Sequence, residues 1–504
     1  MTEGVDTLRR LNPDVLLSVF EHSLPERGLR SLSMACRWVR EETMPALFRR
    51  CLVAVAEPLC AERFLPQRLW PYVCHLSLRD ECPDVVAMNS TWNHQPQFTD
   101  DPLLCGIMDP EFLGTTLPAM PRLQSIHLGF LRSEVHGIGW DTLAAILSTP
   151  QLRSFTVAQF MFSPRQSSTM ADFDSLAPLT TFRYEQRFLR TVLHQFPSQE
   201  AALGTVIGKS RHTLESLLLP SEIAPFRVLM TNQWPRLEEL HLIGVLNLAR
   251  DAHIPFVTLF AGMPRLRVLN LQLAVRKHFD QSLLQLWPQD REGQLPWPNL
   301  EDLVMSFPNL EDRVYSHLPR TLRRLTLRCT PHHSFDIYKR YHPPLKASEM
   351  LKLLSGVDVP HLTYILLEYC ADVAEDDLLL YVVQRFPQLT SLELHRSTSR
   401  EGNSMTITDV ALRLASLPNL FVLRAYLEFG YPSRSFEKLQ QIATVLARKV
   451  ARPGLELWLL HHSGGNGAVW YPVRLVAEEG VDQEPRAEIS HFDNGAVSAY
   501  PFNY

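Results

Sequence analysis

The amino-acid sequence predicts an α/β fold: a small N-terminal helical unit, then a curved solenoid with parallel strands on its concave face and helices on its convex face. Three observations predict the solenoid. The spacing L-x-x-L-x-L recurs between residues 73 and 460, helical stretches separate its copies, and a proline stands two residues before the leading leucine in at least seven copies. Self-similarity at a period of roughly 20–50 residues is typical of stacked repeats. The function therefore has to be inferred from a repeat array.

The first fifty residues have the pattern of three short helices. Pro13 suits a first helical turn, and the apolar residues from Val15 to Phe20 fall on one side of the helix that follows. After a break at 25–28, the apolar residues from Leu29 to Val39 continue with helical spacing, and a third piece begins at Pro45. Three such helices bury too little surface to be stable alone, so the unit has to dock on the next domain or complete its core with a partner.

This stretch, LNPDVLLSVF followed by LRSLSMACRWVREETMPALFRR, resembles an F-box over roughly residues 9–50. It departs from the usual pattern at Asn12, where the family varies, and at Asp14 in place of Glu. The resemblance implies binding to the small Skp-type adaptor of cullin–RING ubiquitin ligases. The alternative is that the same helices only cap the repeat array. The positions that match the adaptor-binding motif of the family are Leu11, Pro13, Val15, Leu16, Val19, Leu32, Cys36 and Trp38.

The repeats begin with a weak copy at Val73 and continue at an average spacing of about 30 residues. Side chains alternate faces along a strand, so the last two apolar residues of each copy point into the core and the residues between them point outward. The array resembles the leucine-rich repeats of F-box proteins, in an irregular form similar to fungal members of that family. Twelve further copies are led by Leu123, Leu152, Leu179, Leu214, Leu237, Leu266, Leu300, Leu322, Leu362, Leu389, Leu420 and Leu455.

These patterns divide the chain into four parts. Residues 1–50 form the F-box and residues 51–69 a connector. Residues 70–462 form the leucine-rich-repeat solenoid of about 13 irregular repeats, with insertions near 80–116 and 274–296, and residues 463–504 form a C-terminal cap or tail.

The outward strand positions are polar and include tyrosine and arginine, which is typical of a protein-recognition surface. We expect an unidentified protein substrate to bind there. The candidate substrate-binding residues are Glu239, His241, Arg324, Arg328, Tyr364, Glu393, Arg424 and Tyr426.

One segment is strongly basic. Between Arg313 and Lys346 there are eight lysines and arginines against the single acid Asp336, in a chain of net charge −5. One hypothesis is that this segment anchors an acidic or phosphorylated part of a substrate through arginine forks. The alternative is a solvated loop whose charges pair with Asp372, Glu375, Asp376 and Asp377.

Composition limits the other possibilities. The 45% hydrophobic content is ordinary for a folded protein, and the small net charge favours neither nucleic acid nor membrane as a partner. The N-terminus lacks the apolar core of a secretory signal, and no apolar run is long enough to span a bilayer. The eight cysteines form no C-x-x-C pair and are expected to be reduced thiols, which indicates the cytoplasm and/or nucleus.

No catalytic or metal-binding motif is present. The sequence lacks G-x-S-x-G, H-E-x-x-H, P-loop and G-x-G-x-x-G patterns, so we expect no enzymatic activity, no metal and no cofactor. The resemblance to F-box proteins implies the favoured function, that of a substrate-recognition subunit of a Skp–cullin–F-box type ubiquitin ligase. The alternative is a leucine-rich-repeat scaffold whose F-box-like helices act only as an N-terminal cap.

Overall fold

The computed structural model describes the repeat strands and most of the helices, and it leaves gaps in the insertions and in the tail. The chain divides into two compact units, Met1–Pro225 and Phe226–Tyr504. The described residues are 11–23, 26–82, 103–104, 107–130, 136–158, 162, 176–185, 197–246, 255–274, 285–290, 292–329, 343–398, 405–428, 436–450, 452, 454–463, 467–476, 486–489 and 497–498.

The first unit begins with three short helices, α1 (Pro13–Ser23), α2 (Glu26–Ser33) and α3 (Arg37–Leu47). Leu16, Phe20 and Leu29 form a buried cluster between them. The expected helix boundaries were wrong in two places. The second helix ends at Ser33 instead of continuing to Val39, because the Sγ atom of Cys36 accepts the N–H of Val39 (3.5 Å) and starts a new helix there.

The other boundary concerns Pro45, which was expected to open a separate third piece. It lies instead in the last turn of α3. Proline there removes its own N–H bond to the carbonyl four residues back and crowds that carbonyl, a cost that is smallest near a helix end, and the hydroxyl of Thr43 donates to the carbonyl oxygens of Val39 and Arg40 in the preceding turn. The helix therefore continues to Leu47.

The rest of the first unit is a parallel sheet with helices in its connections. The main sheet has the order β1–β2–β4–β6–β7–β8, with every pairing parallel, and β3 pairs separately with β5. The strands are β1 (Arg50–Val55), β2 (His75–Asp80), β3 (Leu103–Leu104), β4 (Ser125–Phe130), β5 (His136–Gly137), β6 (Ser154–Ala158), β7 (Thr181–Glu185) and β8 (Ser216–Pro220), and the helices are α4 (Pro110–Thr116), α5 (Trp140–Leu147) and α6 (Pro197–Ser210).

The second unit repeats this arrangement with longer strands. Strands β9 to β16 pair in chain order and in parallel, and β17 then pairs antiparallel with β16. The strands are β9 (Glu239–Val245), β10 (Val268–Ala274), β11 (Asp302–Ser306), β12 (Arg324–Arg328), β13 (Tyr364–Cys370), β14 (Ser391–Ser397), β15 (Val422–Leu427), β16 (Glu456–Ser463), β17 (Gly467–Val476), β18 (Arg486–Glu488) and β19 (Val497–Ser498), and the helices are α7 (Phe226–Thr231), α8 (Phe256–Leu259), α9 (Ala347–Ser355), α10 (Glu375–Arg385), α11 (Ile407–Ala415) and α12 (Phe436–Val450).

The repeated leucines form the core of both units. Leu237, Leu240 and Leu242 are fully buried, and the pairing of β9 with β10 sets Leu240 beside Leu269 and Leu242 beside Leu271. Each of the thirteen motif copies leads into a strand. The prediction of an α/β fold with a mostly parallel sheet is therefore confirmed, and the arrangement is compatible with a solenoid.

The structure adds a strand that the sequence analysis did not include. Strand β1 lies within the stretch interpreted as a connector and pairs with β2 along its full length. Its sequence, RCLVAV, lacks a leading leucine, although Val53 and Val55 alternate into the core. Most of the insertion near 80–116, part of that near 274–296 and most of the tail after residue 476 lie outside the described residues. No helix among the described residues is long and apolar enough to cross a membrane.

Candidate protein-recognition face

Strands β12 to β17 bring a set of arginine, aromatic and acidic side chains to one face of the sheet. Residues that pair across parallel strands share a face, and the register sets Arg324 beside Tyr364 and Arg424 between Glu393 and Trp458. His395 in turn lies beside Tyr426. This recognition face consists of Arg324, Arg328, Tyr364, Glu393, His395, Arg424, Tyr426, Trp458 and Trp470.

At one side of the recognition face, Arg324 is held by two neighbours. Its Nε donates to Oδ2 of Asp302 on β11 (3.0 Å), and its guanidinium lies 4.2 Å from the centre of the Tyr364 ring. Burial raises the pKa of Asp302, and the charge and hydrogen bond of Arg324 oppose that rise. Burial also raises the pKa of the Tyr364 hydroxyl, with a further rise from Glu393. Arg324 is therefore a positioned cation whose charge is already balanced.

A buried acid–histidine pair lies at the centre. Oε1 of Glu393 is 2.7 Å from Nε2 of His395, and both side chains are buried. Burial alone would raise the pKa of Glu393, but the hydrogen bond and charge of His395, helped by Arg328 and Arg424, bring it below its usual value. Glu393 is therefore ionised at neutral pH.

Beyond this pair, Arg424 lies near two indole rings. The guanidinium carbon is 5.7 Å from the ring centre of Trp458 and 5.9 Å from that of Trp470. Trp470 also meets His395 edge-on at 5.8 Å, while Tyr426 stacks on His395 at 6.3 Å. Arginine near aromatic rings is both restrained and able to donate from its edge.

Six of the eight predicted substrate-binding residues lie together on this face, on the four adjacent strands β12 to β15. Glu239 and His241 do not join them. They lie on β9, roughly 14 Å from β12 by the usual strand spacing, and contact each other at 3.8 Å.

The sequence analysis did not select His395, Trp458 or Trp470. The alternation itself places His395 at an outward position of the repeat motif, and the same rule could have identified Trp458. Trp470 belongs to β17, whose antiparallel return has no repeat motif to reveal it. The burial of Glu393 and His395 also differs from the exposed positions expected, and the rings of Tyr426 and Trp470 pack against His395.

Three of the four acids proposed as partners of the basic segment have contacts with residues outside it. Glu375 binds Arg396, Asp376 binds Arg413, and Asp372 accepts from Ser348. Lys339, Arg340 and Asp336 lie outside the described residues.

The predicted adaptor-binding residues are divided between an inner cluster and an outer stripe. Leu16 is buried in the cluster, and Leu32 and Trp38 are partly buried against it. Pro13 begins α1, and Cys36 caps α3.

The outer stripe is apolar and open to solvent. Leu11, Val15 and Val19 are 41, 49 and 42% exposed, and Met34, between α2 and α3, is 68% exposed. Residues four apart lie on one side of a helix, so Val15 and Val19 form a continuous surface with Leu11 just before it.

Comparison with known proteins gives a weak structural likeness. No protein-family model and no curated protein matches the chain. Among solved structures, it is similar to a chain in the crystal structure of the Rad7 and Elc1 complex in yeast, with 14% sequence identity and a TM-score of 0.40 over 90% of this chain and 95% of that chain.

The described residues contain no group of three or more histidine, cysteine, aspartate or glutamate side chains placed to hold a metal ion. The seven cysteines among them are not linked by disulfides. The chemistry of the described surface is therefore that of charged, hydrogen-bonding and aromatic contacts.

Proposed function

We propose that the chain is the substrate-recognition subunit of a Skp–cullin–F-box type ubiquitin ligase. Helices α1 to α3, as an F-box, bind a Skp-type adaptor and through it a cullin–RING ligase. The recognition face, within a leucine-rich-repeat solenoid, binds the protein substrate. The chain itself carries out no catalysis, and it acts in the cytoplasm and/or nucleus without binding nucleic acid or membrane.

The observation that supports the proposal is the open stripe of Leu11, Val15 and Val19. An apolar stripe on a unit of three short helices is unfavourable in water, because full burial of each such side chain lowers the free energy by roughly 1.5–3 kcal/mol. The residues of the stripe coincide with positions at which the F-box motif contacts its adaptor.

The adaptor test uses a charge placed in the stripe. The full chain is co-expressed with a Skp-type adaptor and purified through a tag on the chain, as wild type and as the double variant Val15→Asp, Val19→Asp. We expect the wild type to retain the adaptor and the double variant to lose it. Leu412→Asp is the matched control, since Leu412 is an exposed apolar residue on α11, outside the helical unit.

Two results would contradict the proposal. One is a folded wild-type chain that fails to retain the adaptor under conditions in which a known F-box protein retains it. The other is equal retention by the double variant and the control.

The alternative function is a repeat scaffold whose helices only cap the array. The packing of α3 against the turn at 67–72 favours this alternative, because it places the helical unit on the body of the first unit. A chain that binds protein partners but no adaptor would establish it.

A further inference from the structure

We infer that the recognition face binds an extended protein segment carrying an aspartate or glutamate next to an aromatic or large aliphatic residue. The carboxylate lies at Arg424, and the apolar side chain lies on the half-buried rings of Trp458 and Tyr426, which pack against the buried Trp470. The inference rests on the proposed function only in treating this face as the substrate-binding surface.

Arg424 is placed to donate to an anion. Its guanidinium carbon lies 5.7 Å from the ring centre of Trp458 and 5.9 Å from that of Trp470. Among the described residues it has no ion-pair partner, unlike Arg324, which binds Asp302. Contact with the rings restrains the side chain and leaves the N–H groups at the edge of the guanidinium, where they match the two oxygens of a carboxylate.

The charge balance of the face favours a carboxylate over a phosphate. The three guanidinium groups of the face are accompanied by an equal number of carboxyl groups on β11, β13 and β14. Glu393, which is ionised, is the register neighbour of Arg424. A dianionic phosphate bound to Arg424 would be repelled by the charge of Glu393. A carboxylate carries a single negative charge and would be repelled less. The carboxylates are those of Asp302, Glu368 and Glu393.

The same balance argues against nucleic acid. A nucleic-acid surface needs a clear excess of positive charge, and neither the face nor the whole chain, at −5, has one.

The aromatic side chains supply the second half of the site. Trp458 and Tyr426 are half-buried and pack with Trp470 over the buried Leu460. Tryptophan, tyrosine and arginine are the residues that most often dominate protein-binding energy, because they offer a large apolar area at low cost in side-chain entropy. An apolar residue next to the acid would cover these rings and exclude water from the new ion pair.

The test is selection of peptides on the full chain. Random twelve-residue peptides are displayed on phage and selected on immobilised wild-type chain, and the enriched peptides are resynthesised for fluorescence anisotropy. We expect enrichment of an acid next to Trp, Phe, Tyr or Leu. Replacing that acid by its amide should weaken binding about tenfold or more, the loss typical of a charged hydrogen-bonded contact.

The matched variants are Arg424→Gln and Arg183→Gln. Arg183 lies on β7 and pairs with Glu185. Its replacement by glutamine therefore removes the same charge at a place outside the recognition face. We expect Arg424→Gln to lose about tenfold or more in affinity and Arg183→Gln to lose little. Arg424→Lys should fall between wild type and Arg424→Gln because lysine keeps the charge and loses the fork. Far-ultraviolet circular dichroism of each variant checks that it is folded.

Four outcomes would overturn the inference. They are the absence of any enriched peptide, equal binding by wild type and folded Arg424→Gln, tighter binding when phosphoserine replaces the acid, and Arg424-dependent binding of a single-stranded oligonucleotide. Adaptor retention by Arg424→Gln separates this test from that of the proposed function. Peptide binding without adaptor retention contradicts only the proposed function, and adaptor retention without peptide binding contradicts only this inference.

Discussion

Glu393 and His395 lie two residues apart on β14, and Oε1 of Glu393 is 2.7 Å from Nε2 of His395. Both side chains are buried. The pair is the buried centre of the recognition face. The rings and arginines around the pair set its arrangement. Substitutions at the pair therefore test whether this packing is present in solution.

The first prediction concerns this pair. His395→Gln should lower the free energy of unfolding at pH 7 by about 1–3 kcal/mol, because the buried carboxylate of Glu393 loses its hydrogen bond to the imidazole. The folded-state pKa of Glu393 lies below its usual value, so its contribution is present above that usual value and is lost as the pH falls through the folded-state pKa. The difference between variant and wild type in urea unfolding should therefore shrink in acid.

The control is His361, an exposed residue just before β13. Among the described residues its side chain makes only a long contact, at 3.5 Å, with Gln388. A His361→Gln variant as destabilised as His395→Gln would contradict the assignment.

The second prediction compares two arginine–carboxylate pairs. Arg396 is fully buried and binds Glu375 at 2.6 and 3.0 Å, while Tyr369 donates to the same carboxylate. Arg396→Met should cost about 3–5 kcal/mol, because it leaves Glu375 buried without its counter-charge.

The comparison is Arg413→Gln, which removes an exposed pair with Asp376 of similar geometry. We expect its urea midpoint to stay close to that of the wild type, because exposed ion pairs contribute little. Equal losses in the two variants would show that burial does not govern the strength of these pairs.

The third prediction concerns pH and Asp312. This buried carboxylate accepts the backbone N–H groups of Leu286, Trp287 and Val314, and burial nevertheless raises its pKa to about 6. A raised folded-state pKa stabilises the protein below the unfolded-state value, and this stabilisation is lost as the pH rises through the folded-state value. Between pH 4 and pH 7 the loss is about 3 kcal/mol at most, from the shift of roughly two pKa units.

Asp312→Asn, which stays uncharged, should remove that part of the pH dependence. The measurement is urea unfolding of wild type and variant at several pH values from 4 to 7.5. A difference between the two proteins that does not change with pH would contradict the raised pKa.

The fourth prediction compares two glycines. A Cβ atom on Gly262 would lie 2.5 Å from the carbonyl oxygen of Asn232, in a segment where Trp234 donates its N–H to the carbonyl of Gly262. Gly262→Ala should therefore destabilise the protein by about 1–3 kcal/mol, because the two backbone segments must separate.

Gly139→Ala is the control, since a Cβ there meets nothing within 4 Å. Its thermal midpoint should change little, while that of Gly262→Ala should fall. Similar midpoints for both variants would show that the close approach to Asn232 is not retained in solution.

The sequence alone determined where the strands lie and which side chains form the core. Leu237, Leu240 and Leu242 could be assigned because leucine at this spacing on a strand has only one stable place, the apolar interior. The same alternation predicted that Arg324, Tyr364, Glu393 and Arg424 share a face, because outward positions follow from inward ones.

Only the tertiary structure decided how those outward side chains are used. Asp302 balances Arg324, Trp458 and Trp470 lie near Arg424, and Glu239 and His241 stand apart on β9. These relations join residues from different repeats and from the antiparallel strand β17, so no local pattern contains them. Side-chain alternation is a property of one strand, whereas charge balance and burial depend on which strands become neighbours.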